Sequence, residues 1–133
     1  MPNIPEFAHL FIDNLTLISP PPSAIWLIGS YANNRATLNS DVDLLVFGSE
    51  EFLNSLKHQI PESRGIDCFV VFNGVDFRNP WRQDKQGSLN RWEWKCESER
   101  LSTYKGTSFT EIDDEDEAYL EERTERAILL WSI

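Results

Sequence analysis

Two short apolar runs bracket a glycine turn between residues 24 and 47, and this arrangement constrains the chain more than any other stretch does. Ala24 to Ile28 and Val42 to Phe47 are apolar and rich in β-branched residues, each of a length that suits a buried strand. Gly29-Ser30 follows the first run directly, and Ser40-Asp41-Val42-Asp43 opens the second. Side chains alternate faces along a strand, so Asp41 and Asp43 project from one face while Val42 and Leu44 point to the other. Two carboxylates on one face repel each other. The pair persists when a cation sits between them or one takes up a proton, and hard oxygen ligands of this kind suit Mg²⁺ carried in with phosphates. Gly29 and Ser30 supply the complementary groups: no Cβ to block a close backbone approach, then a hydroxyl and exposed N–H groups at a helix start. These pieces fit one ligand, a nucleoside triphosphate with metal.

Gly29-Ser30-x-Ala32, a short polar stretch and then Ser40-Asp41-x-Asp43-Leu44-Leu45-Val46 resembles the signature of the DNA polymerase beta nucleotidyltransferase superfamily, in particular its minimal nucleotidyltransferases. One departure stands out: where members commonly have Arg-Gly after the alanine, this chain has Asn33-Asn34. The resemblance implies transfer of a nucleoside monophosphate from an NTP, ATP in the first instance, to an acceptor hydroxyl. It implies two Mg²⁺ ions, with Mn²⁺ as the alternative, held by Asp41 and Asp43 and a third acid, and it assigns Gly29, Ser30 and Ser40 to the nucleotide. In this superfamily the third carboxylate comes from the strand that follows the paired-acid strand after a helix. Asp67, the one charge in Ile66 to Phe72, occupies that slot; it is the expected third metal ligand and catalytic base, with a solvated strand end as the bland reading and Asp76 as the alternative.

The 133 residues, with five Trp and eight Phe, suit one domain over 1–133, with a core at 1–77 and an extension at 78–133. The first twenty residues lack a basic start, and no apolar run approaches the length that spans a bilayer, so no membrane association is expected. Cys68 and Cys96 are too few for a disulfide framework and lack metal-ligand spacing, so both read as free thiols in a reducing cytoplasm. Net charge is −10, but Glu111 to Glu122 carries eight acids and no bases, leaving −2 for the remainder. Arg78 to Lys105 is locally basic, with seven bases against four acids. The overall sign disfavours stable duplex nucleic-acid binding, while the basic segment suits a triphosphate or a short acceptor.

In chain order, Pro5 to Leu17 reads as an amphipathic helix through Phe7, Leu10, Phe11 and Leu15, and Pro20-Pro21-Pro22 ends it. Ser49 is a good N-cap for a helix from Glu50 to Ile60, with Phe52, Leu53, Leu56 and Ile60 as its buried stripe. His9 and His58 read as surface or half-buried histidines without a catalytic partner. Arg78 to Asn90 reads as a loop, and Arg91 to Cys96 alternates as a half-buried strand carrying Trp92 and Trp94, which serve as core or as a platform for a nucleobase. Ser102 to Ile112 forms a hairpin with that strand or extends the sheet edge. Lys105-Gly106-Thr107 lacks the preceding glycine-rich loop of a phosphate loop. Asp113 to Arg126 reads as a helix whose acidic face is either solvated or a docking surface for a basic partner.

The expected fold is therefore α/β (α+β): a small mixed, twisted sheet with helices on one face, extended by a C-terminal β hairpin and a terminal helix. Few residues follow Asp67 to grip an acceptor, so a protein partner or a homodimer is expected to complete the site. Among minimal nucleotidyltransferases the implied acceptors include a helical toxin partner, as in toxin–antitoxin pairs, and small molecules of the aminoglycoside type. A non-catalytic nucleotide-binding or antitoxin module is the competing reading.

Overall fold

The computed structural model describes residues 3–112 and 117–133, with side chains 107–122 outside the description. Helix α1 (Glu6–Thr16) buries Ala8, Phe11, Ile12 and Leu15, a stripe one turn apart, against the sheet. Phe7 and Leu10, expected in that stripe, are instead 44% and 57% exposed. Strand β1 (Ala24–Ile28) leads into the single turn α2 (Gly29–Ala32), and β2 (Val42–Phe47) runs back antiparallel beside β1. Helix α3 (Glu50–Gln59) then crosses over to β3 (Ile66–Val71), which lies parallel to β2. Ser49 caps α3, its Oγ accepting the Phe52 N–H at 3.1 Å, an arrangement worth about 1 kcal/mol.

The remainder is more β-rich than the sequence suggests. In place of the loop expected over Arg78 to Asn90, β4 (Asp76–Arg78), on the β3 edge, turns back into β5 (Gln86–Ser88) as an antiparallel hairpin. Buried Asn79 organises its turn by accepting the Trp81 and Arg82 N–H groups, while the Trp81 indole donates to the Ile60 carbonyl. Polar residues that satisfy one another in this way carry no apolar alternation, which hid the hairpin from a reading by periodicity. The expected strand Arg91 to Cys96 is also replaced: α4 (Leu89–Trp92) is capped by Ser88, Glu93 reverses the chain at φ 52°, and only β6 (Lys95–Cys96) is extended.

Strand β7 (Leu101–Ile112) pairs with β6 on one side and with β8 (Glu117–Ser132) on the other. The terminal helix expected over Asp113 to Arg126 is thus corrected to strand from Glu117 onward; residues 113–116 lie outside the described residues. Helix propensity is a weak prior here, because β1 is apolar on both faces and needs a partner on its open edge. The run Ala127 to Trp131 supplies that partner, pairing from Ala24↔Ser132 to Leu27↔Ile128 across a bulge.

Among the described residues, eight strands form one mixed sheet in the order β5-β4-β3-β2-β1-β8-β7-β6, in which β2 and β3 are parallel. One face carries α1 and α3 over Ile25, Leu27, Val42, Leu44, Val46, Cys68 and Val70. The opposite face carries an aromatic layer of Trp26, Phe69, Phe77, Trp92, Trp94 and Tyr104. No helix among the described residues is long and apolar enough to cross a membrane.

Candidate active site

Strand pairing brings the three acids to one end of the aromatic face. Asp43 lies beside Ile28 of β1 and beside Asp67 of β3, on strands about 4.8 Å apart. Asp41 precedes β2 by one residue and, two positions from Asp43, belongs to the same face. The neighbours Val42 and Cys68 face the helices, so the acids point away from that core. Crowding has an electrostatic consequence: the Asp43 carboxyl is pushed up to about 7, first by burial and then by the charges of Asp67 and Asp41, with the Lys85 ammonium opposing. Burial likewise pushes the Cys68 thiol up to about 12, and both cysteines are free.

Gly29 is fixed by two requirements at once. Its φ of +72° disfavours side chains, and a Cβ there would collide with the Asp43 carboxylate. Its N–H donates to the Tyr104 hydroxyl at 2.8 Å, a contact from the far side of the sequence. Tyr104 stacks near-parallel on Trp92 and Trp94, with centroids 5.3 and 6.2 Å away, so the two tryptophans meet on one partner even though no regular strand carries both. Burial, above all, pushes its phenol up to about 12, against the Gly29 N–H and Arg35 and with the charges of Glu125 and Asp43.

The Asn33-Asn34 departure has a structural explanation. Asn33 stitches α2 to β8: its Nδ2 donates to the Gly29 and Arg126 carbonyls at 2.8 and 3.1 Å, and its Oδ1 accepts the Arg126 N–H at 2.8 Å. Asn34 adopts φ +58°, a left-handed conformation in which Asn is the best tolerated residue after Gly. Arg35 then forks onto buried Glu125 at 2.8 and 3.0 Å, and Arg123 shares the same carboxylate at 2.7 Å. The Ser30 hydroxyl is half-buried, with no hydrogen-bond partner among the described residues. Ser40 accepts the Thr37 N–H at 2.9 Å, closing the turn that delivers Asp41.

On the other side of the acids, Lys85 donates to Asp67 Oδ1 at 3.0 Å and Arg82 to Glu62 at 2.7 Å. With Asp41 and Arg64 these four line a cleft of about 360 Å³. A wider groove of about 710 Å³, lined by Tyr31, Asn34, Leu38, Arg126 and Ile128, contains none of the three acids, so size alone does not mark the site. Asp76, the alternative third acid, is tied up in the Asn73 turn, its Oδ2 accepting from Asn73 Nδ2 at 2.9 Å. Lys105 and Gly106 lie within β7 and form no loop; Lys105 pairs with Glu93 at 2.6 Å, and Gly106 makes room for Glu125. Sequence reasoning missed Lys85 and Tyr104 as neighbours of the acids and of Gly29, because each arrives from a segment with no local motif.

Three carboxylates beside a glycine turn form a donor set that suits a hard divalent cation. As the side chains stand, no three His, Cys, Asp or Glu among the described residues enclose an ion, and Asp67 bonds the Lys85 ammonium. A mixed sheet bearing acids on adjacent parallel strands next to a Gly-Ser turn is the architecture of a nucleotidyltransferase. The nucleotidyltransferase domain family matches residues 15–126, so the chain belongs to that family, within the DNA polymerase beta-like superfamily. Comparisons with curated proteins and with solved structures gave no match.

Proposed function

We propose that this chain transfers a nucleoside monophosphate from an NTP, ATP in the first instance, to a hydroxyl of an acceptor. The observation that carries this reading is the convergence of Asp41, Asp43 and Asp67 at one sheet end beside Gly29. In the step, the acceptor oxygen bonds the α-phosphorus, the bond from that phosphorus to the bridging oxygen breaks, and pyrophosphate leaves. Asp67 takes the acceptor's proton, while Ser30 and the turn left open by the missing Cβ of Gly29 receive the β and γ phosphates and Ser40 fixes Asp41. Asp41, Asp43 and Asp67 would hold two Mg²⁺ or Mn²⁺ ions, which when bound stabilise charge on the attacking and leaving oxygens. Asp43 gains most from such a ligand, since burial first and the charges of Asp67 and Asp41 next push its carboxyl up to about 7, and a cation offsets both.

The acceptor enters along the cleft of Arg64, Arg82 and Lys85. Its small volume suits one side chain or one small molecule, and we assign the hydroxyl to a partner protein, with the acidic stretch Glu111 to Glu122 as the complement of a basic helical toxin. On this reading the chain is one half of a cytoplasmic toxin–antitoxin pair, and its two free cysteines support a reducing compartment. The test is label transfer from each α-labelled NTP with Mg²⁺ or Mn²⁺ and cell extract. A labelled product that disappears in the Asp41→Asn, Asp43→Asn double variant is expected, and a wild type that labels nothing with any NTP counts against the reading.

A further inference from the structure

We infer that the Tyr104 hydroxyl is a phosphate-binding group of this site, receiving the Gly29 N–H and donating its own proton to an anionic oxygen of the triphosphate. The inference rests on the nucleotidyl-transfer reading and adds to it a residue from β7, some sixty positions beyond the paired-acid motif.

An amide N–H can only donate, so in the 2.8 Å contact with Gly29 the Tyr104 oxygen is the acceptor and the phenolic O–H remains to be placed. Among the described residues nothing accepts it. The residue is only 7% exposed, so its ring is fixed in the core, and a hydroxyl proton that none of the described residues accepts is left for an incoming acceptor. The missing partner is therefore an acceptor brought from outside. Its sign follows from the chain of bonds: an N–H donating to a phenol polarises the O–H outward and strengthens it toward a negative oxygen.

Position narrows the class further. Gly29 touches both the Tyr104 hydroxyl and the Asp43 carboxylate, so the free O–H lies next to the acids that would receive metal and phosphates. Stacking on Trp92 and Trp94 holds the ring, and this donor needs no reorganisation when the ligand arrives. The glycine's amide would then act on phosphate through the tyrosine, instead of bonding it directly. A β- or γ-phosphate oxygen is the ligand group, so nucleosides and monophosphates should not engage it.

The experiment is calorimetry of wild type and Tyr104→Phe with ATP and with AMP, each with Mg²⁺, beside thermal unfolding of both. Phe keeps the stacked ring and removes only the hydroxyl. Expected is a loss of roughly ten-fold or more in ATP affinity, as for a hydrogen bond to a charged group, with AMP binding unchanged. Equal or tighter ATP binding by the variant overturns the inference alone, and so does an equal loss for AMP, which would mark a merely structural role. A wild type that binds neither nucleotide overturns the transfer reading and this inference with it. Should Tyr104→Phe fail to fold, 3-fluorotyrosine in place of Tyr104 gives the same decision: its fluorine signal should move with ATP and not with AMP, and a signal unmoved at saturating ATP overturns the inference.

Discussion

Asp43 is half-buried between two other carboxylates, and a pKa pushed up to about 7, by burial first and then by their charges, makes its ionised form a source of instability. The folded state holds this proton more tightly than the unfolded chain, whose carboxyl titrates near 3.8. The Asp43 contribution is therefore fully favourable below about 3.8 and is lost as pH rises through about 7. Asp43→Asn removes that loss. With chelator at pH 8 the variant is expected to be more stable than wild type by on the order of 1–2 kcal/mol, after allowance for solvent screening, and the difference should shrink at pH 4; thermal unfolding measures both. Lys85 pulls the Asp43 carboxyl down, so with chelator present Lys85→Met is expected to move the pH profile of thermal unfolding to higher pH. A profile that stays put would disconnect Lys85 from the site. At this scale the local motif was legible: Gly29, Asp41 and Asp43 sit within one short stretch whose geometry follows from strand alternation. Lys85 and Tyr104 were not, because nothing near either residue in sequence announces the group it meets.

The single turn α2 carries Gly29 and Ser30, and its attachment to β8 runs through Asn33. Asn33→Ala would leave the Gly29 and Arg126 backbone groups without these partners. A loss of about 2 kcal/mol in urea unfolding is expected, with transfer falling further than stability because the turn beside Asp43 is no longer fixed. Unchanged stability would mean that the Asn33 bonds do not hold the turn. The elements that anchor this arrangement were the readable ones: α1, β1, β2, α3 and β3 each carry their own periodicity, cap or apolar run. Beyond Phe77 the signals conflict. Trp92 and Trp94 share a partner through a chain reversal at Glu93, which imitates strand alternation, and the acids and arginines before Ala127 imitate a helix. What decides β8 is the unpaired edge of β1, a partner lying about a hundred residues earlier, and no local propensity reports it.

Across the whole molecule, the sheet divides labour between its faces. Helices α1 and α3 close one face into an aliphatic core. The other face is left for aromatic packing, and the three acids lie at its end. Strands β7 and β8 complete the sheet and also deliver Tyr104 and Arg126 to α2 and Glu125 to Arg35 just after it, so the C-terminal half packs on the Gly29 turn and is more than an appendage. The acceptor side, by contrast, is a modest cleft in which Arg82 is paired with Glu62 and Lys85 with Asp67, which is why a partner is assigned to supply the rest. In the proposed transfer the α-phosphorus is attacked and pyrophosphate departs. The most direct measurement follows two ATP samples, labelled at the α or the γ phosphate, through one incubation with protein, Mg²⁺ and extract. Label from the α position should appear in the acceptor while γ label appears in pyrophosphate; γ label in the acceptor, or in free phosphate with none transferred, would contradict it.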